Sequence, residues 1–277
     1  MSALKPLASG REAEVFLRED GTILKLMRDA AGTGRVQREA AALAALAAQG
    51  HRCPAPRGIV TVDGRPGLLM DRVEGGDLLG VLGRHPLSVF KAGAAIARCH
   101  ADIHACAAPP GLPDLRRELR SRIEVARSLP DELRREVSEI LDDLPDGDRL
   151  CHGDLHFGNL LGTWSDPTVI DWGTASCGDP AADVARTKLL LGIGEVDPSS
   201  PLLIKVLAPV CRGRVVANYL ATYRRLSPID KNRLARWEVV QAAARLAEPI
   251  PSEHPRLLAL IKRNITRSSV RGCVRYG

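Results

Sequence analysis

The sequence predicts an α+β protein of two lobes, a small sheet-plus-helix lobe over residues 1–72 and a larger, mainly helical lobe over 73–277. Three observations carry this. Apolar runs of strand length, broken by tight-turn residues, all lie before Asp71. Beyond Gly76 the apolar spacing is almost entirely helical. Hydrophobic residues make up 45% of the 277, enough for a sizeable core, and with aromatics at 3% that core must be largely Leu, Ala, Val and Ile.

Taken in order, Glu14–Leu17 and Thr22–Met27 read as strands joined by a turn at Glu19-Asp20-Gly21. Val36–Ala48 reads as an Ala-rich helix ended by Gly50. Gly58–Val62 and Pro66–Met70 form a hairpin around Asp63-Gly64, a strong tight-turn signal. Asp71–Gly76 is a linker. Ala92, Ile96, Cys99, Ile103 and Cys106 trace one buried helix stripe. Charged amphipathic helices follow at 114–128 and 131–143, and helical patterns resume at 180–192, 202–225 and 231–248. Residues 150–175 break the pattern with short apolar pieces and clustered polar side chains.

Charge and composition exclude several classes. The last 77 residues hold 15 Lys and Arg against four Asp and Glu, so the formal net charge of +6 is concentrated there. A stacking platform for single-stranded nucleic acid needs exposed aromatics that this chain lacks, so no nucleic-acid partner is expected. No apolar run reaches membrane-span length and no apolar leader opens the chain. Seven cysteines without a CxxC pair point to a reduced, cytoplasmic protein.

The chemistry concentrates in Cys151-His152-Gly153-Asp154-Leu155-His156-Phe157-Gly158-Asn159 and, beyond it, Ile170-Asp171-Trp172-Gly173. An Asp, an Asn five residues on and an Asp twelve beyond that suit phosphoryl transfer. One carboxylate meets the attacking hydroxyl, and an amide oxygen with a second carboxylate supplies hard ligands for Mg²⁺. Upstream, Glu39 interrupts the apolar stripe Val36, Leu43, Leu46, and a carboxylate there is costly to bury unpaired. Lys25, on the strand face of Ile23 and Met27, is its expected partner.

These segments resemble the aminoglycoside phosphotransferase family, within the kinase-like superfamily that also holds choline and homoserine-type kinases. HGDLHFGN resembles the family's catalytic loop, with Phe157 where Pro is common; Asp171-Trp172-Gly173 resembles its metal-binding segment and Gly178–Asp183 the stretch that follows. The resemblance spans residues 8 to about 190. It implies a two-lobed protein-kinase-like fold that binds ATP and Mg²⁺ and phosphorylates a hydroxyl of a small molecule. Asp154 would be the catalytic base, Asn159 and Asp171 the Mg²⁺ ligands, and Lys25, positioned by Glu39, the phosphate contact. Ser9–Val15 lies where a phosphate-covering loop belongs, with Gly10 and Arg11 offering backbone N–H groups. Met70-Asp71-Arg72-Val73 resembles the hinge that reads adenine, with Met70 and Val73 at its ends. The alternatives are an aminoglycoside-type antibiotic kinase and a nucleotide-binding pseudokinase.

Other polar residues have structural readings. His100 and His104 have the i, i+4 spacing of a zinc pair, but HADIH lacks the Glu of HExxH, and packing or polar support beneath the catalytic loop is the expectation. His152 is expected to fix that loop by hydrogen bonding, and His156 to face substrate or serve structure. Asp179 and Asp183 are expected to support the loop, with Asp183 capping the next helix. The basic C-terminal third predicts an acceptor other than a polycationic aminoglycoside, which carboxylates would bind best.

Overall fold

The computed structural model describes residues 4–85, 88–194 and 202–273. Five strands, β1 (Lys5–Ser9), β2 (Ala13–Leu17), β3 (Ile23–Met27), β4 (Pro56–Val62) and β5 (Arg65–Met70), make one antiparallel sheet in the order β1-β2-β3-β5-β4. β3 is central, and its buried Ile23, Leu24, Leu26 and Met27 leave Lys25 as the one polar residue of the strand. Helix α1 (Thr33–Ala48) lies against this sheet through Val36, Ala42, Leu43 and Leu46. At Asp63 the backbone takes φ 50°, which the tight β4–β5 turn requires and Asp tolerates.

The expected elements form, with additions. β1 is exposed along its whole length, so it carries no alternation to read. Past Gly76 come α2 (Leu78–Arg84), α3 (Val89–Ala105), α4 (Leu115–Val125) and α5 (Asp131–Asp142). The irregular stretch resolves into two small antiparallel pairs, β6 (Arg149–Cys151) with β9 (Ser176–Gly178) and β7 (Leu160–Gly162) with β8 (Pro167–Val169). Four helices complete the body: α6 (Pro180–Gly192), α7 (Leu202–Leu226), α8 (Lys231–Arg245) and α9 (His254–Cys273).

Close packing organises the helical body. At Gly93 a Cβ would come within 2.6 Å of the Val215 carbonyl, so α3 and α7 touch backbone to backbone. α6 buries most of its surface, and α8 packs against it, with Gln241 donating to the Ala182 carbonyl at 3.0 Å. The chain enters the helical body through a second close approach: a Cβ on Gly75 would lie 2.8 Å from Gly162 Cα, and the Gly162 N–H bonds the Gly76 carbonyl at 3.0 Å. Both glycines have positive φ, 113° and 103°, so the seam needs glycine on each side. No described helix is long and apolar enough to cross a membrane.

Candidate functional site

The two small strand pairs hold two loops side by side, 152–159 after β6 and 170–175 between β8 and β9. Gly153 has φ 80°, and a Cβ there would lie 2.8 Å from the Thr174 carbonyl, so only glycine fits between His152 and Asp154. The Thr174 hydroxyl donates to the His152 carbonyl at 2.8 Å and ties the loops together. His152 is fully buried; its Nε2 bonds the Ile170 carbonyl and its Nδ1 accepts from the Asp154 N–H, both at 3.1 Å.

A buried polar post stands beneath. Asp183 accepts from the His152 and Gly153 N–H groups at 2.6 and 2.9 Å. His100 and His104 approach the same carboxylate at 3.0 and 3.3 Å through Nε2, and their Nδ1 atoms pair with the Tyr219 and Tyr223 hydroxyls at 2.7 and 2.6 Å. The three groups could enclose an ion. Their nitrogens and oxygens already face one another at hydrogen-bonding distance, so the expected support role describes the cluster. The helix cap is Asp179 instead of Asp183: it precedes Pro180, accepts the Ala181 N–H at 2.8 Å and holds Trp237 Nε1 and Arg233 through its other oxygen.

Burial pushes the His104 imidazole down to about 4, helped by neighbouring His100. The Asp183 carboxyl is opposed by burial yet held well below the usual range by His100 and His104. Because the folded His104 resists protonation, the unfolded chain binds more protons below its own pKa of about 6.5. Stability is therefore full above that pH and is lost as pH falls towards 4, with a slope of up to about 1.4 kcal/mol per unit for each such group. The urea midpoint is expected to fall between pH 7 and pH 5, and His104→Asn to flatten that fall. A slope identical in the variant would remove His104 from the account.

At the junction with the sheet, Lys25 Nζ lies 2.7 Å from Glu39 Oε2 and 2.8 Å from Asp171 Oδ1. Glu39 turns its other oxygen to the Trp172 N–H at 3.2 Å. One carboxylate of α1 thus grips both the strand lysine and the Asp171-Trp172-Gly173 backbone. Burial would lower the Lys25 ammonium, but Glu39 and Asp171 outweigh it and raise it; burial pushes Glu39 up against the pull of Lys25. Asp171 takes φ 66°, a left-handed conformation that turns its exposed carboxylate to Lys25.

Asp154 is within electrostatic reach of Asp171. Its carboxylate meets Arg186 Nη2 at 3.3 Å and His156 Nε2 at 3.6 Å. Burial would raise this carboxyl, but the His156 contact and the Arg186 charge outweigh it and hold it below the usual range. Asn159 donates its Nδ2 to the Asp154 carbonyl at 2.9 Å. Among the described residues no donor reaches Asn159 Oδ1 or the second oxygen of Asp171, which leaves two hard oxygens open and fits Mg²⁺.

The Ser9–Val15 segment is a tight turn whose Gly10 N–H is spent on the Ala13 carbonyl at 2.9 Å. Arg28 pins it through the Gly10 carbonyl and Ser9 hydroxyl. Gly10 therefore has no amide to offer a phosphate in this conformation, whereas no bond is made by the Arg11 N–H among the described residues. Met70 is buried at the end of β5, and Val73 is half-buried in the crossover to α2.

The phosphotransferase enzyme family model matches residues 3–229. The chain belongs to that family. Among curated proteins none matches it in sequence. Solved structures share the fold at low identity. An aminoglycoside 3'-phosphotransferase of type VIII is 18% identical, with TM-score 0.62, over 88% of this chain and 94% of its own. An aminoglycoside phosphotransferase from Streptomyces rimosus is 20% identical, with TM-score 0.58, over 88% and 93%. A candidate fructosamine-3-kinase from Haemophilus somnus is 17% identical, with TM-score 0.60, over 96% and 92%.

Arg186 is the site residue that sequence reasoning missed in this phosphotransferase family member. It is 6% exposed on α6, donates Nε to the Gly153 carbonyl at 3.2 Å and pairs with Glu248 at 2.7 Å. Its signal was faint, since Arg186 stands beside Thr187 and Lys188 in a stretch whose apolar residues are Val184, Ala185, Leu189 and Leu191.

Proposed function

We propose that this protein is an ATP- and Mg²⁺-dependent kinase that transfers the γ-phosphoryl group to a hydroxyl of a small molecule. The observation that carries the reading is the chain Glu39–Lys25–Asp171, which ends beside a loop presenting Asp154 and Asn159. Solved structures of this fold include complexes with GDP and kanamycin and with ADP and streptomycin, which supports a site for a nucleotide and a hydroxyl compound.

In this reading Lys25, held by Glu39, contacts phosphate oxygens of the nucleotide. Asn159 and Asp171 would hold Mg²⁺, which neutralises phosphate charge when bound. Asp154 receives the acceptor hydroxyl. Arg186 and His156 keep it ionised and weakly basic, so it orients the hydroxyl first and takes the proton as the new oxygen–phosphorus bond forms and the bond to the leaving ADP breaks. A reduced, cytoplasmic setting belongs to this reading on the strength of seven cysteines without a CxxC pair.

ADP release across a library of hydroxyl compounds tests the reading; nucleotide binding with no release for any compound would leave only the pseudokinase alternative. Within that screen, kanamycin-like and neomycin-like compounds are expected to be poor acceptors. The four acidic residues past Pro201 are all engaged: Asp230 caps α8, Glu238 pairs with Lys188, and Glu248 and Glu253 pair with Arg245. A kcat/KM above about 10⁴ M⁻¹s⁻¹ for either, within the ordinary enzyme range, would overturn the charge argument.

A further inference from the structure

We propose that the acceptor carries an anionic group, a carboxylate or a phosphate monoester, and that Arg122 holds it; this rests on the reading of the protein as a hydroxyl kinase. Arg122 projects from α4, is only half-buried, and makes no hydrogen bond or ion pair with any described residue. The carboxylates around it are taken. Glu118, one turn earlier, pairs with Arg38 of α1 at 2.8 Å. Glu248 pairs with Arg186 at 2.7 Å and Arg245 at 2.9 Å. Asp154 faces Arg186, and Glu12 faces Arg35.

Two landmarks place Arg122 near the reacting groups. It is within electrostatic reach of Arg186, the residue on Asp154, and of Arg35. Arg35 lies against the metal-binding segment, its Cβ 3.9 Å from where a side chain on Gly173 would sit. Burial and then the Arg186 charge pull the Arg122 guanidinium down, yet guanidinium does not shed its proton in proteins. Glu118 and Glu248 pull on it only at longer range, and a cation that stays charged, partly desolvated and with no carboxylate in direct contact is a site for an anion. Its planar fork suits the two oxygens of a carboxylate or phosphate. An acceptor with its hydroxyl on Asp154 would extend its other end towards this fork. An ammonium group there would meet only carboxylates already paired with arginine.

The test uses a matched three-carbon set, glycerol, glyceric acid, glycerol 3-phosphate and serinol, given to the full chain with saturating Mg·ATP while ADP release is followed. An anionic member is expected to exceed glycerol in kcat/KM by at least about 10-fold, and the better of the two anions identifies the group. Arg122→Gln should reduce that advantage by about 10- to 100-fold, mainly through KM, and Arg122→Lys should restore part of it. Preference for glycerol or serinol, or an anionic preference that survives Arg122→Gln, overturns the proposal and leaves the kinase reading standing. Should no member be phosphorylated, glyceric acid and glycerol 3-phosphate are titrated into protein saturated with Mg·ADP, which blocks the nucleotide's own phosphate contacts. Binding that Arg122→Gln abolishes supports the anion site even if the kinase reading falls; absence of binding in the unaltered protein overturns it.

Discussion

Asp154→Asn is expected to lower kcat by about 10²–10⁴ while leaving nucleotide affinity and folding nearly intact. The size follows from what the side chain loses. Asn keeps the shape of Asp but cannot take a proton, so the hydroxyl must shed it to water or to an oxygen of the phosphoryl group being transferred. The site around it should survive, because the Asp154 backbone, and not its carboxylate, anchors the loop: its N–H bonds His152 Nδ1 and its carbonyl accepts from Asn159. Arg186 loses one ion-pair partner but keeps Glu248 and the Gly153 carbonyl. Single-turnover measurements with saturating Mg·ATP separate the chemical step from binding. A variant that turns over at the unaltered rate would take Asp154 out of the reaction.

The second large effect is expected at the Lys25–Glu39 pair. Glu39→Ala leaves a lysine ammonium with 16% side-chain exposure facing Asp171 alone and strips the Trp172 N–H of its acceptor. Breaking a buried pair from one side typically costs about 3–5 kcal/mol, because the remaining charge stays desolvated. Lys25→Ala should raise the KM for ATP, lower kcat, or both, and it also leaves the Glu39 carboxylate, 4% exposed, without its cation. The double variant should lose far less than the sum, since both changes remove one coupling. A double-mutant cycle on nucleotide affinity and urea midpoint reads this directly, and additive losses would show that the contact contributes nothing. Asp171→Asn belongs in the same series: Asn tolerates the left-handed backbone at that position, so its loss of Mg²⁺-dependent turnover reports the charge and not strain.

That pair was legible in the sequence because its signal is local. A carboxylate on an apolar helix stripe demands a partner, and a lysine between two buried strand residues supplies one. Asp154, Asn159 and Asp171 were legible because short loops fix their spacing. Arg186 and Arg122 were not. Each sits on a helix whose neighbours are decided by packing between segments far apart in sequence, and helical spacing alone does not say that α6 passes under Asp154. α9 was hidden for another reason: Pro251 and Pro255 break the run, and its charged residues mask the apolar positions Leu257, Leu260, Ile261 and Ile265. The three-residue strands β6 to β9 are too short to show a period. The cap at Asp179 was readable from the Asp-Pro pair that opens α6, and the burial of Asp183 beneath the loop is what takes that residue away from the helix end.

The glycine seam at Gly75 and Gly162 bears on how the halves could move. Two backbones in contact, stitched by a hydrogen bond, act as a pivot and not as a slack tether. A rocking motion of the sheet would leave Met70 and Val73, close to the pivot in the chain, almost stationary. The β1–β2 turn at Gly10 and Arg11, on the sheet edge three strands from β5, would sweep through a wider arc. On the proposed reading, a nucleotide would then seat its base against a fixed wall first, and its phosphates would be enclosed second, when that outer edge swings in.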